Sequence, residues 1–334
     1  MNLGAEGRRI RALRPAKESL DPWRPVGVHL EQERLPSGSL APSLTVFLAG
    51  SECPFTCVFC DLWQYTLDGP TPPGALPAQL SLALEEVRDQ LPEARWPEAS
   101  IKLYNASNFF DGRAVPEQDE GALGELLTPF RRVVVECHAK LIGPRCRDFA
   151  AFLEGRLEVA IGLETIHPRA SPRLNKGATL GDFDLAMERL RQWGIASRTF
   201  ILLGAPYIPA NEAVSWAIQS ARYAFDQGAE TVALIPARSS PGELERLASL
   251  GEFSPPSLEQ LEMALEGVLE APPPAGSQVV ADLWDLEILD PECSTCSSRR
   301  IRRLESMNFN GRIAEPVHCS ECSSGCQGGV RGDG

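Results

Sequence analysis

Long apolar runs are absent from this chain of 334 residues. No segment reaches the roughly 18 consecutive apolar residues of a transmembrane helix, so we expect no membrane span. Residues 1–20 are polar and carry arginine, and they lack the apolar core of a secretory signal. We therefore expect a cytoplasmic protein.

Positive charge is also scarce. The chain has 32 Lys and Arg against 45 Asp and Glu, a formal net charge of −13, which argues against a general nucleic-acid coat protein. Two arginine clusters, at residues 8–14 and 299–303, are either solvated surface or local contacts to phosphate. The common nucleotide fingerprints are missing too, because no GxGxxG follows the first predicted strand and no GxxxxGK[ST] occurs.

Short apolar segments alternate with helical patterns along the middle of the chain. Six segments are typical of buried parallel strands, at residues 44–50, 101–104, 133–136, 157–163, 198–203 and 231–235. This alternation predicts parallel βα units in an α/β fold, either an open doubly wound sheet or a barrel.

We expect three parts along the chain. Residues 1–42 are rich in proline, glycine and arginine and are weakly periodic, so they are predicted to form an N-terminal arm. Residues 43–271 carry the βα alternation and form the predicted core barrel. A proline-rich linker then opens residues 272–334, which we expect to be a small metal-binding module with its own cysteines.

Three of the ten cysteines follow the first predicted strand. Cys53, Cys57 and Cys60 form a CxxxCxxC pattern, and in parallel α/β folds the loops after the strands build the active site. Three thiolates leave a tetrahedral structural site incomplete. They can instead hold three irons of a [4Fe–4S] cluster and leave the fourth iron open. A zinc or redox loop is the alternative, and isolated Cys137 and Cys146 are expected to be buried apolar side chains.

This loop and its place in the chain resemble the radical S-adenosylmethionine superfamily. An aromatic residue before the last cysteine, here Phe59, is usual in that family. The resemblance implies a partial (β/α)6 TIM-like barrel, a [4Fe–4S] cluster on the three cysteines, and S-adenosylmethionine at the open iron. It also implies cleavage of S-adenosylmethionine to a 5′-deoxyadenosyl radical that abstracts hydrogen from a substrate. A reductant protein of the flavodoxin or ferredoxin type is the expected partner.

Four further segments are similar to the radical subunit of archaeosine synthase and its bacterial relatives. They are residues 102–111 (KLYNASNFFD), 158–165 (EVAIGLET), 174–177 (LNKG) and 200–207 (FILLGAPY). This resemblance implies a modified base in tRNA as the substrate, a lysine adduct of a deazapurine. The alternatives are a small metabolite or peptide as substrate, or a non-catalytic iron–sulfur or zinc protein that binds nucleic acid.

Candidate contacts to S-adenosylmethionine are expected where the strands end, because such side chains face the site in barrels of this kind. By the resemblance, Asn105 and Ser107 stand where relatives contact the methionine amine, and Ile235 stands where relatives bed the adenine. Gly204 would allow a close approach of the backbone. The other candidates end a strand or precede a helix, and for each carboxylate helix capping or the surface is the alternative: Glu136, Glu164, Asn175 and Lys176.

Five cysteines lie near the C-terminus. Cys293 and Cys296 form one CxxC pair, Cys319 and Cys322 form a second, and Cys326 adds a fifth thiolate. This spacing is typical of a four-cysteine zinc site, and an auxiliary [4Fe–4S] cluster is the alternative. The arginines between the pairs are expected either to dock a polyanion such as tRNA or to belong to a tail that the metal folds.

Overall fold

The sheet is the organising element of the fold. The computed structural model describes residues 4–286, 289, 293 and 295–325, and of residues 323–325 the backbone alone. Within these residues, eight strands form one sheet in sequential order. The strands are β1 (Gly27–Arg34), β2 (Leu40–Phe47), β3 (Ser100–Tyr104), β4 (Arg132–Glu136), β5 (Arg156–Glu164), β6 (Ala196–Leu203), β7 (Thr231–Pro236) and β8 (Gln278–Ala281).

Strand β1 is antiparallel to β2, whereas every later pair of neighbours is parallel. Helices accompany the parallel strands, as crossover connections require. The α-helices in the described residues are α1 (Ala5–Ala12), α2 (Ala75–Glu86), α3 (Glu120–Leu127), α4 (Pro144–Ala150), α5 (Leu180–Gln192), α6 (Ala213–Asp226), α7 (Glu243–Ser249), α8 (Leu258–Leu269), α9 (Ser297–Asn310) and α10 (Ser320–Gly325). None of them combines the length and apolarity that crossing a bilayer demands.

The main apolar core lies between one face of the sheet and the helices. In β5 the side chains of Leu157, Val159 and Ile161 are buried in this core. Glu158 alternates with them and therefore lies on the opposite face, because successive side chains of a strand point to opposite sides. We call this opposite face the inner face, and the chemistry-bearing side chains described below lie on it or at the carboxyl ends of its strands.

The predicted α/β partial barrel is confirmed, and its six predicted strands correspond to β2–β7. Two additional strands extend the sheet. Strand β1 lies within the predicted N-terminal arm, and β8 lies within the predicted C-terminal module. The division into arm, barrel and module stays a prediction.

Helix α9 packs against both edge strands, β1 and β8. The Asn308 side chain accepts a hydrogen bond from the Ala281 backbone N–H and donates one to its carbonyl oxygen, both at 2.8 Å. Leu304 and Met307 of the same helix are fully buried in the main core. The sequence around the C-terminal cysteines is therefore tied directly to the sheet.

Candidate active site

The three-cysteine loop follows β2 at the carboxyl end of the sheet. Cys53, Cys57 and Cys60 are free and partly buried. Burial raises the pKa of all three thiols, that of Cys57 to about 12. Each thiol therefore holds its proton in the apo protein, and a bound metal centre would replace these protons.

The segment at residues 174–177 holds the loop in place through hydrogen bonds. The Asn175 side-chain amide donates to the Thr56 carbonyl oxygen at 2.7 Å and to its hydroxyl at 2.9 Å. The Val58 N–H donates to the Leu174 carbonyl oxygen at 3.0 Å. The Asn175 amide nitrogen thus holds the cysteine loop, and the predicted contact of Asn175 with the cofactor stays a prediction.

His138 supports the same loop from the end of β4. Its ring stacks on Phe55, with centroids 3.7 Å apart and planes 14° from parallel. Nδ1 accepts a hydrogen bond from the Lys140 N–H, so Nε2 carries the proton and donates to the Lys176 carbonyl oxygen at 3.0 Å. Burial and the positive charge of Lys176 lower the pKa of His138 to about 4, so the ring is neutral at pH 7.

Asn108 is a site residue that the sequence analysis did not select. It is buried, and its Nδ2 lies 3.2 Å from the Cys53 sulfur. Its Oδ1 accepts a hydrogen bond from the His138 backbone N–H at 2.7 Å. The only signal in the sequence was its position in the segment that follows β3.

The end of β3 carries buried polar atoms without a protein partner. Both polar side-chain atoms of Asn105 and the hydroxyl of Ser107 lack a hydrogen-bond partner. Such atoms cost free energy unless a ligand or water satisfies them. Asn105 and Ser107 thus provide donors and acceptors for a small polar ligand at the carboxyl end of the sheet.

The side chain of Glu136, at the end of β4, is hydrogen-bonded to the segment that follows β3. It accepts a hydrogen bond from the Asn105 backbone N–H at 2.8 Å. Burial raises its pKa to about 7, although backbone hydrogen bonds from residues 105–107 oppose this shift. The carboxyl group is therefore near its midpoint at neutral pH, and it lies beside the unpartnered side chains.

Glu164 at the end of β5 forms a buried ion pair with Lys176. Its backbone is left-handed, with φ of 67°. A Cβ atom on Gly162 would fall 1.9 Å from the Glu164 carboxylate and 2.4 Å from the Lys176 ammonium, so a larger residue there would displace this pair. The Lys176 ammonium thus compensates the charge of Glu164, and the predicted contact of Glu164 with S-adenosylmethionine stays a prediction.

The remaining predicted residues lie around the same edge of the sheet. Gly204 has φ of +72°, and a Cβ atom there would lie 2.9 Å from Pro256, so the close approach that it permits is to Pro256. Ile235 is a partly buried inner-face residue of β7, opposite Leu202. Phe59 packs against a separate apolar cluster that contains Ile10 and Leu247.

The N-terminal arginine cluster is used within the molecule. Arg11 and Arg14 both form ion pairs at 2.8 Å with Glu52, which directly precedes Cys53. The Arg14 guanidinium also lies 4.9 Å from the Trp63 ring centroid. These contacts favour a bracing role for the segment over the phosphate contact that was one alternative.

Aromatic rings and ion pairs occupy the inner face of the sheet. Four partly buried rings lie on strands β2, β3 and β6 or just beyond β8: Phe47, Tyr104, Phe200 and Trp284. Nearer the start of the strands, Arg198 bridges Glu33 and Glu158 at 2.8 Å each, and Lys102 contacts Glu33 at 3.0 Å. The interior is thus closed by charge pairs at one end and lined by aromatic rings towards the cysteines.

The C-terminal cysteines form the one group in the described residues whose potential metal-ligand atoms all lie within 4.8 Å: Cys293, Cys296, Cys319 and Cys322. Individual sulfur–sulfur separations are 3.2, 3.3, 3.6 and 3.8 Å. A tetrahedral ion with metal–sulfur bonds of about 2.3 Å places its sulfurs about 3.8 Å apart. This cluster of thiols can therefore bind a metal. Cys326 lies outside the described residues.

The arginines between these pairs are largely buried. Arg300 pairs with Glu262 of α8, and Arg303 pairs with Glu262 and Glu266. Both arginines are below 8% exposed, so a docking surface made of the whole run is ruled out. Arg299 and Arg302 remain exposed on α9.

No protein-family model matches the chain, but individual proteins are similar to it in sequence. An uncharacterized protein of Methanocaldococcus jannaschii is 22% identical over 270 residues, which are 76% of this chain and 72% of that protein. The archaeosine synthase subunit beta of Methanosarcina acetivorans is 26% identical over 235 residues, 67% of this chain and 66% of that subunit.

Two solved structures share the fold at low sequence identity. A radical SAM methyltransferase from Sphaerobacter thermophilus aligns with a TM-score of 0.52 and 18% identity, covering 79% of this chain and 77% of that one. Elp3 from Methanocaldococcus infernus aligns with a TM-score of 0.51 and 13% identity, covering 70% and 59%. The resemblance seen in the sequence is therefore confirmed: the chain has the fold of the radical S-adenosylmethionine superfamily and is similar in sequence to the archaeosine synthase subunit.

Proposed function

We propose that this chain is a radical S-adenosylmethionine enzyme whose [4Fe–4S] cluster is held by Cys53, Cys57 and Cys60. One observation carries the proposal. Three free thiols stand on a loop that Asn108 contacts at Cys53, and Asn105 and Ser107 of the same segment carry unpartnered buried polar atoms. Three soft thiolates suit an iron–sulfur cluster with one open iron, and the orphaned polar atoms suit the amino and carboxylate groups of its ligand.

The cluster, when bound with S-adenosylmethionine, supplies an electron that cleaves a sulfonium C–S bond and generates a radical able to remove hydrogen from a substrate. The chain's own residues bind and orient. Asn105 and Ser107 hydrogen-bond the methionine end, Glu136 accepts from its ammonium group, and Ile235 provides apolar surface for the adenine. The partly buried loop limits the access of water to the reacting atoms.

For the substrate, we propose a modified base within tRNA. The name of the relative from Methanosarcina acetivorans supports this choice, and so do the aromatic rings of the inner face, on which a flipped base can stack. The Arg238–Asp282 pair, 2.9 Å apart just beyond β7 and β8, offers donors and acceptors to a base edge. A small metabolite or peptide remains the alternative substrate.

A tRNA substrate also needs contacts to phosphate, and we propose Arg299 and Arg302 for them. Both are exposed on α9, unlike their ion-paired neighbours. Substituting both with Ser should weaken tRNA binding and reduce its dependence on salt. Binding that is unchanged in affinity and salt dependence would remove α9 from the interface.

At the C-terminal cysteines, we propose a structural zinc ion. The sulfur separations of 3.2–3.8 Å support a single tetrahedral ion. In an auxiliary cluster each thiolate binds a different iron, so the sulfurs would be farther apart. Such an ion would fix the start of α9, since Cys296 is its N-cap residue.

A reductant protein of the flavodoxin or ferredoxin type is the proposed electron donor, and the cytoplasm is the proposed location. No disulfide bond joins any of the cysteines that the structure describes, which supports a reducing compartment.

The proposal is tested by anaerobic reconstitution, followed by dithionite and S-adenosylmethionine, with 5′-deoxyadenosine measured by chromatography. We expect product from the wild type and none from Cys57→Ala. Cys146→Ala is a matched control, because Cys146 is buried in the main core, and it should retain product formation. An intact cluster that yields no 5′-deoxyadenosine would favour the non-catalytic binding protein instead.

A further inference from the structure

Asn108 has a fixed orientation beside the cysteine loop. Its side chain is 3% exposed. The backbone N–H of His138 can only donate, so the atom that it meets at 2.7 Å has to be Oδ1. The amide nitrogen Nδ2 is thereby directed at the Cys53 sulfur, 3.2 Å away.

We propose that Asn108 is a positioning residue that sets the reduction potential of the cluster through an N–H···S hydrogen bond to Cys53. This inference rests on the proposed function, because it requires the cluster. It goes further by assigning a role in electron transfer to a residue that binds neither iron nor S-adenosylmethionine.

The direction of the effect follows from charge. Reduction adds one electron, supplied by the reductant protein or by dithionite, and the sulfur ligands carry part of the added negative charge. A fixed N–H donor stabilises the more negative state, so it raises the reduction potential. Loss of the donor should shift the potential to a more negative value and make the cluster harder to reduce.

The two contacts of Asn108, with the His138 N–H and with the Cys53 sulfur, also explain why an amide suits this position. Asn108 lies in the segment after β3, and His138 lies just beyond β4. One side chain therefore connects the ends of two strands to the first cysteine. Asp in the same place would still accept from the His138 N–H but would offer no donor to sulfur and would add a negative charge. Leu would remove the donor without adding charge.

Three variants of the reconstituted full chain test the inference. Asn108→Leu and Asn108→Asp remove the donor to sulfur. Asn308→Leu is the matched control, because the Asn308 oxygen is also held by a backbone N–H while its nitrogen donates to the Ala281 carbonyl oxygen and not to sulfur. Each protein is titrated potentiometrically, with electron paramagnetic resonance as the readout and iron content and thermal unfolding as checks.

We expect both Asn108 variants to titrate at a more negative potential than the wild type, whereas Asn308→Leu loses stability without a shift. Asn108 variants that keep the iron content and the reduction potential of the wild type would overturn this inference but not the proposed function. If the variants fail to hold iron, pulsed resonance of wild-type protein with 15N-labelled asparagine decides, and absence of a nitrogen coupling overturns the inference. A wild type without a redox-active cluster would overturn the proposed function itself.

Discussion

The Asn175 amide nitrogen lies 2.7 Å from the Thr56 carbonyl oxygen, in the middle of the three-cysteine loop. Asn175 adopts a left-handed backbone with φ of 50°, a conformation that asparagine tolerates better than most residues. The segment at residues 174–177 and the cysteine loop therefore form one unit, although more than a hundred residues separate them.

Replacing Asn175 tests this unit. Asn175→Ala loses both hydrogen bonds to Thr56 and places at positive φ a residue that tolerates this conformation less well than asparagine, so we expect a loss of about 2–3 kcal/mol of unfolding free energy. Asn175→Gly loses the same hydrogen bonds without the backbone strain and should be less destabilised. Urea unfolding and iron content after reconstitution measure the effect. A glycine variant as stable as the wild type would show that the amide does not hold the loop.

The arginines of α9 should divide into two classes. Arg300→Ala leaves the buried carboxylate of Glu262 without its main partner, so we expect a loss of about 3–5 kcal/mol. Arg299→Ala, one residue away and exposed, should change stability by less than about 0.5 kcal/mol. Equal effects of the two substitutions in urea unfolding would contradict the buried ion pair.

The carboxyl group of Glu136 should make stability depend on pH. Its pKa is raised from 4.5 to about 7 in the folded chain, so between these pH values the folded state binds the extra proton. Stability from this group is present below pH 4.5 and is lost as pH rises to about 7, by at most about 3 kcal/mol. Glu136→Gln lacks this titration and keeps an oxygen for the Asn105 N–H.

The difference in unfolding free energy between wild type and Glu136→Gln should therefore change across this window, with the glutamine variant gaining relative stability towards higher pH. Unfolding of the apo protein at several pH values gives this difference. A constant difference from pH 4 to 8 would mean that Glu136 has an ordinary pKa.

Metal content should separate the two cysteine groups. Cys296→Ser should lower zinc from about one ion per chain and destabilise the fold, while iron at the loop is retained. Cys146→Ser changes a buried cysteine outside both groups and should alter neither metal. Elemental analysis of the purified variants measures both ions. Iron that falls with Cys296→Ser while zinc is absent would favour the auxiliary cluster.

The sequence was informative where a local pattern carries the chemistry. Apolar segments identified strands β2–β7, and the CxxxCxxC spacing identified the loop. Strand β1 was not predicted because it carries Glu31 and Glu33, whose partner Lys102 lies on β3. A charged strand whose partners are distant in sequence does not look like part of a sheet.

The contacts of individual side chains also could not be predicted from the sequence. In the sequence, Arg300 looks like a surface residue within a run of arginines. In the structure it is buried and forms an ion pair with Glu262 of α8. Asn175 and Gly204 stand at the edge where the cofactor is expected, but their partners here are Thr56 and Pro256. These outcomes depend on contacts between distant segments, which spacing along the chain does not encode.

The central claim is that Cys53, Cys57 and Cys60 hold a cluster with one iron open to S-adenosylmethionine. Electron paramagnetic resonance of the dithionite-reduced, oxygen-protected protein tests it most directly. The account predicts a [4Fe–4S] signal that changes on adding S-adenosylmethionine and is absent in Cys57→Ser. A colourless wild type without iron, or a signal indifferent to S-adenosylmethionine, would contradict it.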